Sequence, residues 1–197
     1  MNQLDDAVRV LDLLGVAANV LLAGVLAREK RFDLVGFLVL GVAAGLGGGM
    51  IRDTLLQRGT PVALTDLSYL SVAFATAVIA YLVHMEGRWW SRGIRIIDAI
   101  ALGTWGAVGA QKALSLGLHW LPSIMLGTIT AVGGGMVRDI MLRRTPIVFG
   151  GNTLYATCGT AAPTVAVLAA SLTSGRFPGA TTLSAAVVGG GLCLISY

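Results

Sequence analysis

The sequence predicts an all-α membrane protein with seven transmembrane helices. The first six form two inverted three-helix repeats, and a seventh helix is appended. Three observations predict this. The 197 residues are 55% hydrophobic and only 12% charged, with a mean hydropathy of +0.80, which leaves too little polar surface to coat a soluble domain of that size. Apolar stretches long enough to cross a hydrocarbon core of about 30 Å recur along nearly the whole chain. The same residues also return at a constant spacing of 86, the mark of an internal duplication.

Taken in order, spans are expected at 8–27, 33–56, 67–84, 94–115, 119–142, 152–171 and 179–196. The first follows Asp5 and Asp6 and lacks the basic start and small-residue cleavage site of a signal peptide, so it counts as a helix of the folded protein. The breaks carry charge or turn signals: Arg28-Glu29-Lys30-Arg31, Gly59-Thr60-Pro61, Gly87 to Arg92, Leu121-Pro122, Arg143-Arg144-Thr145-Pro146, and Gly175 to Gly179. Proline punctuates because it lacks a donor, glycine because its backbone is not stiff. Trp89, Trp90, Trp120, His84 and His119 fall at span ends, where amphipathic rings suit a membrane–water interface. Together the spans use most of residues 1–197, so a single membrane domain is expected.

The duplication covers three spans. Arg9 matches Arg95, Asp12 matches Asp98, Gly41 matches Gly127, and Gly47-Gly48-Gly49-Met50 matches Gly133-Gly134-Gly135-Met136, all at the spacing of 86. Arg52-Asp53 matches Arg138-Asp139 at the same spacing. Thr60-Pro61 matches Thr145-Pro146 after a one-residue gap, and Tyr69 matches Tyr155 with the gap recovered. Repeat 1 therefore runs over 8–84 and repeat 2 over 94–171, while 179–196 has no counterpart. Three is an odd number of crossings, so the second copy enters from the opposite side.

Loop charges set the orientation. One side receives Arg28, Lys30, Arg31, Arg88, Arg92, Arg95, Arg143 and Arg144; the other receives Arg9, Arg58 and Arg176. The excess of 8 over 3 predicts that the first side is cytoplasmic, with the N-terminus outside and the C-terminus inside. The net charge of +4 thus reads as membrane orientation. Neither a motif nor a basic face points to nucleic acid.

Chemistry concentrates in the duplicated motif. A glycine triplet costs a helix up to about 1 kcal/mol per residue against alanine, and two readings explain it. Gly47, Gly48, Gly49, Gly133, Gly134 and Gly135 may be read as permitting close helix packing, or as kinking or breaking the second and fifth spans so that carbonyls face a water-filled path. The small-residue stripe ends in ionisable groups in both repeats, which favours the second. Arg52, Asp53, Arg138 and Asp139 lie within spans, where charge needs compensation. By depth, Asp12 shares the outer half with Arg52, and Asp98 the inner half with Arg138. Contacts Asp12–Arg52 and Asp98–Arg138 are expected, either as structural ion pairs or as parts of an ion path. Lys112 ends an apolar face near the outer end of the fourth span, where repeat 1 has Leu26. It is either a snorkelling lysine or a voltage-responsive charge at an outer mouth.

Other chemistries find no support. Cys158 and Cys193 sit in apolar spans without a CxxC or Cys/His pattern. No nucleophile–base pair, metal-ligand spacing or phosphate loop is visible, and Gly189-Gly190-Gly191 lacks the spacing and the context of a dinucleotide fingerprint. Enzyme activity, a metal and a cofactor are not expected.

The paired motifs Gly47-Gly48-Gly49-Met50-Ile51-Arg52-Asp53 and Gly133-Gly134-Gly135-Met136-Val137-Arg138-Asp139, on the second and fifth of seven spans, resemble the prokaryotic branch of the trimeric intracellular cation (TRIC) channel family. The resemblance covers essentially the whole chain. It implies a homotrimer with a pore in each subunit, lined by kinked second and fifth helices and permeable to monovalent cations, chiefly K⁺ and also Na⁺. It implies membrane lipid as surroundings and, for a compact chain like this one, the cell (inner) membrane. Bacterial relatives also carry a glycine-transporter domain name, so secondary transport of a small amino acid such as glycine is the alternative.

Overall fold

The computed structural model describes residues 3–83, 88–150, 155–172 and 178–196. His84 and Arg176 lie outside these residues, and the side chains of Arg88, Trp89, Trp90, Arg92, Arg95 and Cys193 are likewise outside what is described. The regular structure among the described residues is all helical. They form α1 (Gln3–Glu29), α2 (Leu34–Leu56), a single turn α3 (Val62–Thr65), α4 (Leu67–Leu82), α5 (Arg88–Ser115), α6 (Trp120–Met141), a 3₁₀ turn Ile147–Phe149, α7 (Tyr155–Leu172) and α8 (Pro178–Ser196). The seven long helices coincide with the seven expected spans. The two short turns, each following a Thr-Pro pair, were not anticipated.

Local chemistry sets the helix ends. Asp33 caps α2, its carboxylate accepting the Gly36 amide at 2.8 Å, and Asp66 caps α4 through the Ser68 amide at 3.0 Å. α2 stops at Gln57, and the chain turns after α6 at Arg143; both adopt left-handed backbone. Arg28, in the last turn of α1, donates to the carbonyls of Ala80, Tyr81 and Val83, satisfying the open C-terminal end of α4.

The architecture is that of two inverted three-helix repeats plus a seventh long helix. α1, α2 and α4 pack together as α5, α6 and α7 do. The halves meet where α2 crosses α6 and α1 lies beside α5, and α8 packs on α5 and α7. α2 and α6 are each long and apolar enough to cross a bilayer. Their outward surface is rich in exposed aliphatic side chains such as Val35, Val39, Met125 and Ile140.

Neither glycine triplet interrupts its helix: α2 and α6 are continuous α-helices across Gly47–Gly49 and Gly133–Gly135. The glycines are explained by proximity. A Cβ on Gly48 would overlap the carbonyl oxygen of Thr130, and one on Gly134 would overlap the carbonyl oxygen of Ala44. Gly133 lies over the Cα of Gly48, and Gly47 faces Val137. The two helices therefore cross backbone to backbone at the centre of the molecule. Gly49 alone of the first triplet is directed elsewhere, toward the guanidinium of Arg52.

Candidate functional site

One turn beyond this crossing, each motif helix carries a buried arginine–aspartate pair. Neighbouring residues on a helix point about 100° apart, so the arginine must curl its long side chain around the helix to reach the next residue. It does so in both repeats. Arg52 Nε donates to Asp53 Oδ1 at 2.7 Å, and Arg138 Nε donates to Asp139 Oδ1 at 2.9 Å. All four residues are buried. Each aspartate spends its other oxygen on a backbone amide: Asp53 Oδ2 accepts from Val62 at 3.0 Å, and Asp139 Oδ2 accepts from Ile147 at 3.2 Å. Proline explains this choice. Pro61 and Pro146 have no N–H, so the first donor of the turn that follows belongs to the next residue. The carboxylate of the helix thus caps the short turn behind it, and a buried charge is met by a counter-charge and a dipole.

The two pairs differ in one ligand. Asp53 Oδ1 also accepts from Lys112 Nζ at 2.7 Å, bringing α5 onto the end of α2. The Lys112 side chain is 32% exposed against 6% for Asp53, so the ammonium reaches inward from a wetter position. The repeat-related residue in the first half is Leu26, which has no charge to offer.

The contact expected of Asp12 is corrected. Arg52 gives its ion pair to Asp53 and Arg138 gives its own to Asp139, because a carboxylate one residue away is within reach without spanning two helices. Asp12 instead accepts the Tyr69 hydroxyl at 2.5 Å, tying α1 to α4. Asp98 is buried.

A cavity of about 30 Å³ lies beside the first pair, lined by Asp12, Gly49, Arg52, Asp53, Tyr69 and Thr130 among others. A space of that size takes about one or two waters. A second pocket of about 30 Å³ is lined by Asp53, Arg58, Gly59, Thr60 and Lys112. Asp53 is a wall of both. The Lys112–Asp53–Arg52 chain of charges therefore runs along the two pockets. Tyr69 and the Val62 and Ile147 amides are site groups that sequence reasoning missed. The recurrence of the tyrosine and the Thr-Pro pair in both repeats was the available signal. Lys112 was singled out, but its partner was not.

Comparison with known proteins identifies this arrangement. A family model described as "Glycine transporter" matches the chain twice, over residues 9–85 and 95–171. A UPF0126 membrane protein of Deinococcus radiodurans is 36% identical over 152 residues, 77% of this chain and 71% of its own. The UPF0126 inner membrane protein YadS of Escherichia coli K12 is 34% identical over 148 residues, 75% and 71% of the two chains. The TRIC trimeric intracellular cation channel orthologue from Rhodobacter sphaeroides superimposes with a TM-score of 0.82 at 25% identity, covering 96% of this chain and 97% of that one. This chain belongs to the prokaryotic TRIC family. TRIC proteins are membrane proteins, and the family is one of channels rather than enzymes. The two matches to the family model fall one on each repeat, so each includes one arginine–aspartate pair of this TRIC protein.

Proposed function

We propose that this TRIC protein is a monovalent cation channel, K⁺-permeable, working as a homotrimer with a pore inside each subunit. It sits in the cell (inner) membrane with its N-terminus outside and its C-terminus cytoplasmic, the orientation that the arginine-rich loops favour. The observation that carries the reading is Asp53. A buried carboxylate lines two small polar pockets, in a chain that shares its fold with a TRIC cation channel.

In this reading Asp53 and Asp139 draw cations toward the two ends of the path, and Arg52 and Arg138 hold those carboxylates in place. Gly48 and Gly134 set the path's narrowest backbone spacing. Lys112 is the voltage-responsive element: its ammonium occupies the position at Asp53 that a permeant cation would otherwise take. A field that draws it outward frees the carboxylate. One full charge moved through 100 mV is worth about 2.3 kcal/mol, enough to shift such a balance.

Recording from purified protein in planar bilayers under a KCl gradient tests the reading. Unitary currents reversing near the K⁺ potential are expected, with conductance reduced in Asp53→Asn and in Asp139→Asn. Unchanged conductance and selectivity in both variants would remove the carboxylates from the mechanism. The name of the matching family model favours a second reading, secondary transport of glycine. The cavity offers a carboxylate and a guanidinium to such a zwitterion, but its roughly 30 Å³ would have to widen to hold one. Saturable glycine uptake into vesicles, together with electrical silence at all voltages, would favour the transporter.

A further inference from the structure

We propose that the notch between Arg58 and Lys112, just past the end of α2, is an oxyanion site that takes a phosphate group. The binding stands apart from the channel reading; its effect on current rests on that reading.

The inference starts from what the duplication did not copy. Arg58 and Arg144 are repeat-related, and each follows a residue with left-handed backbone, Gln57 and Arg143. Arg144 donates to Glu29 at 2.8 Å. Shifted by the repeat spacing, the place of Glu29 belongs to Ser115, whose hydroxyl donates to the Lys112 carbonyl instead. Arg58 is exposed and pairs with no carboxylate among the described residues. The set Arg138, Asp139, Arg144 and Glu29 is balanced. The set Arg52, Asp53, Arg58 and Lys112 has three cations and one carboxylate. That carboxylate is already engaged on both oxygens, one by Arg52 and Lys112 and the other by the Val62 amide. This end of the bundle therefore carries positive charge that the set itself does not neutralise.

Arg58, Thr60 and Lys112 line one pocket of about 30 Å³. That is room for about one water, so one oxygen of a phosphate group enters and the others stay at the rim. Gly59, the residue that the second repeat lacks, keeps the rim open: a Cβ there would meet nothing within 4 Å. A guanidinium, an ammonium and a hydroxyl offer more donors than a carboxylate can use, and they suit the oxygens of a phosphate group. Lys112 is the shared donor. An oxyanion on its ammonium competes with Asp53 for it, so binding favours release of the carboxylate and a larger cation current.

The first test is broadening of the phosphorus NMR line of inorganic phosphate by the full chain in detergent at low ionic strength. Wild type, Arg58→Gln and Ser115→Glu are compared. Saturable broadening is expected for wild type, with affinity about tenfold weaker in Arg58→Gln, which loses one charge-assisted contact. Ser115→Glu supplies the acid that Glu29 gives Arg144 and should weaken binding similarly. The second test is thermal unfolding of the same proteins in nanodiscs of phosphatidylglycerol or phosphatidylcholine. A stabilisation specific to phosphatidylglycerol and lost in both variants, without binding of free phosphate, would place the site's phosphate on a lipid headgroup. Identical behaviour of wild type and both variants in the two tests would overturn the site. In phosphatidylcholine bilayers, added phosphate is expected to raise the K⁺ current of wild type and to leave that of Arg58→Gln unchanged. Binding with no change in current would overturn the regulation and keep the site. Absence of current in every protein would count against the channel reading alone, since neither binding test uses current.

Discussion

Among the described residues, the two arginine–aspartate sites share every ligand but one. Arg52–Asp53 closes on the Val62 amide and Arg138–Asp139 on the Ile147 amide, so duplication preserved the counter-charge, the dipole and the proline that directs it. Only Asp53 adds an ammonium, from Lys112. The loop behind it is also one residue longer, and its short turn is α-helical where the other is 3₁₀. The shared part is what a carboxylate needs in order to survive at that depth. The unshared part is where one end of the protein can behave differently from the other.

The sharpest break of this comparison is removal of each arginine. Arg138→Met leaves Asp139 buried with the Ile147 amide as its remaining partner among the described residues and is expected to cost about 3–5 kcal/mol, as when one member of a buried pair is removed. Arg52→Met should cost clearly less, because Lys112 still faces Asp53. Thermal unfolding in detergent reads both, and equal losses would show that Lys112 gives Asp53 no support. Next in size is the crossing itself. Gly48→Ala and Gly134→Ala each push a methyl into a facing carbonyl and should cost about 1–3 kcal/mol, whereas Gly49→Ala, whose nearest neighbour is the Arg52 guanidinium at 3.8 Å, should be nearly neutral. Exchanging the unshared ligand sharpens the contrast functionally. Lys112→Leu should raise conductance and flatten its voltage dependence in bilayer recordings. Leu26→Lys should introduce a voltage dependence of the opposite sign. Tyr69→Phe, which leaves the Asp12 carboxylate without its donor, should cost about 1 kcal/mol in the same unfolding assay.

The smallest effect lies outside the spans. The hydroxyl and amide of Ser68, then Arg9, hold the Asp66 carboxyl below its ordinary value of 3.8. A lowered folded-state value means that the stabilisation is complete above 3.8 and is lost as pH falls through the lower folded value. A slight drop in melting temperature confined to that acid range is expected, and it should vanish in Asp66→Asn.

Much of this was legible in the sequence, and the failures have physical causes. Seven helices could be read because hydropathy sets their number, and proline, glycine and arginine set their ends. The pairing partners could not. Residues 52 and 53 point in different directions on an ideal helix, and only the length of an arginine side chain lets one reach round to the other. Depth in the membrane suggested Asp12 for Arg52, but depth says nothing about distance across the bundle. The glycine triplets left two readings open because a helix-breaking residue and a helix-packing residue are the same residue. What decides between them is whether another backbone lies within reach, here those of Thr130 and Ala44, and that is a property of the partner helix.

The crossing has a consequence for motion. Where two helices touch through their carbonyls, neither can slide by a turn or roll about its axis without collision, so α2 and α6 act as a fixed axle. In a channel of the kind proposed above, switching between blocked and open forms would then fall to a part borne on that axle's rim, the Lys112 side chain, rather than to a moving bundle. Such a device resets at the speed of rotamer exchange, and its energy cost is that of releasing one ion pair.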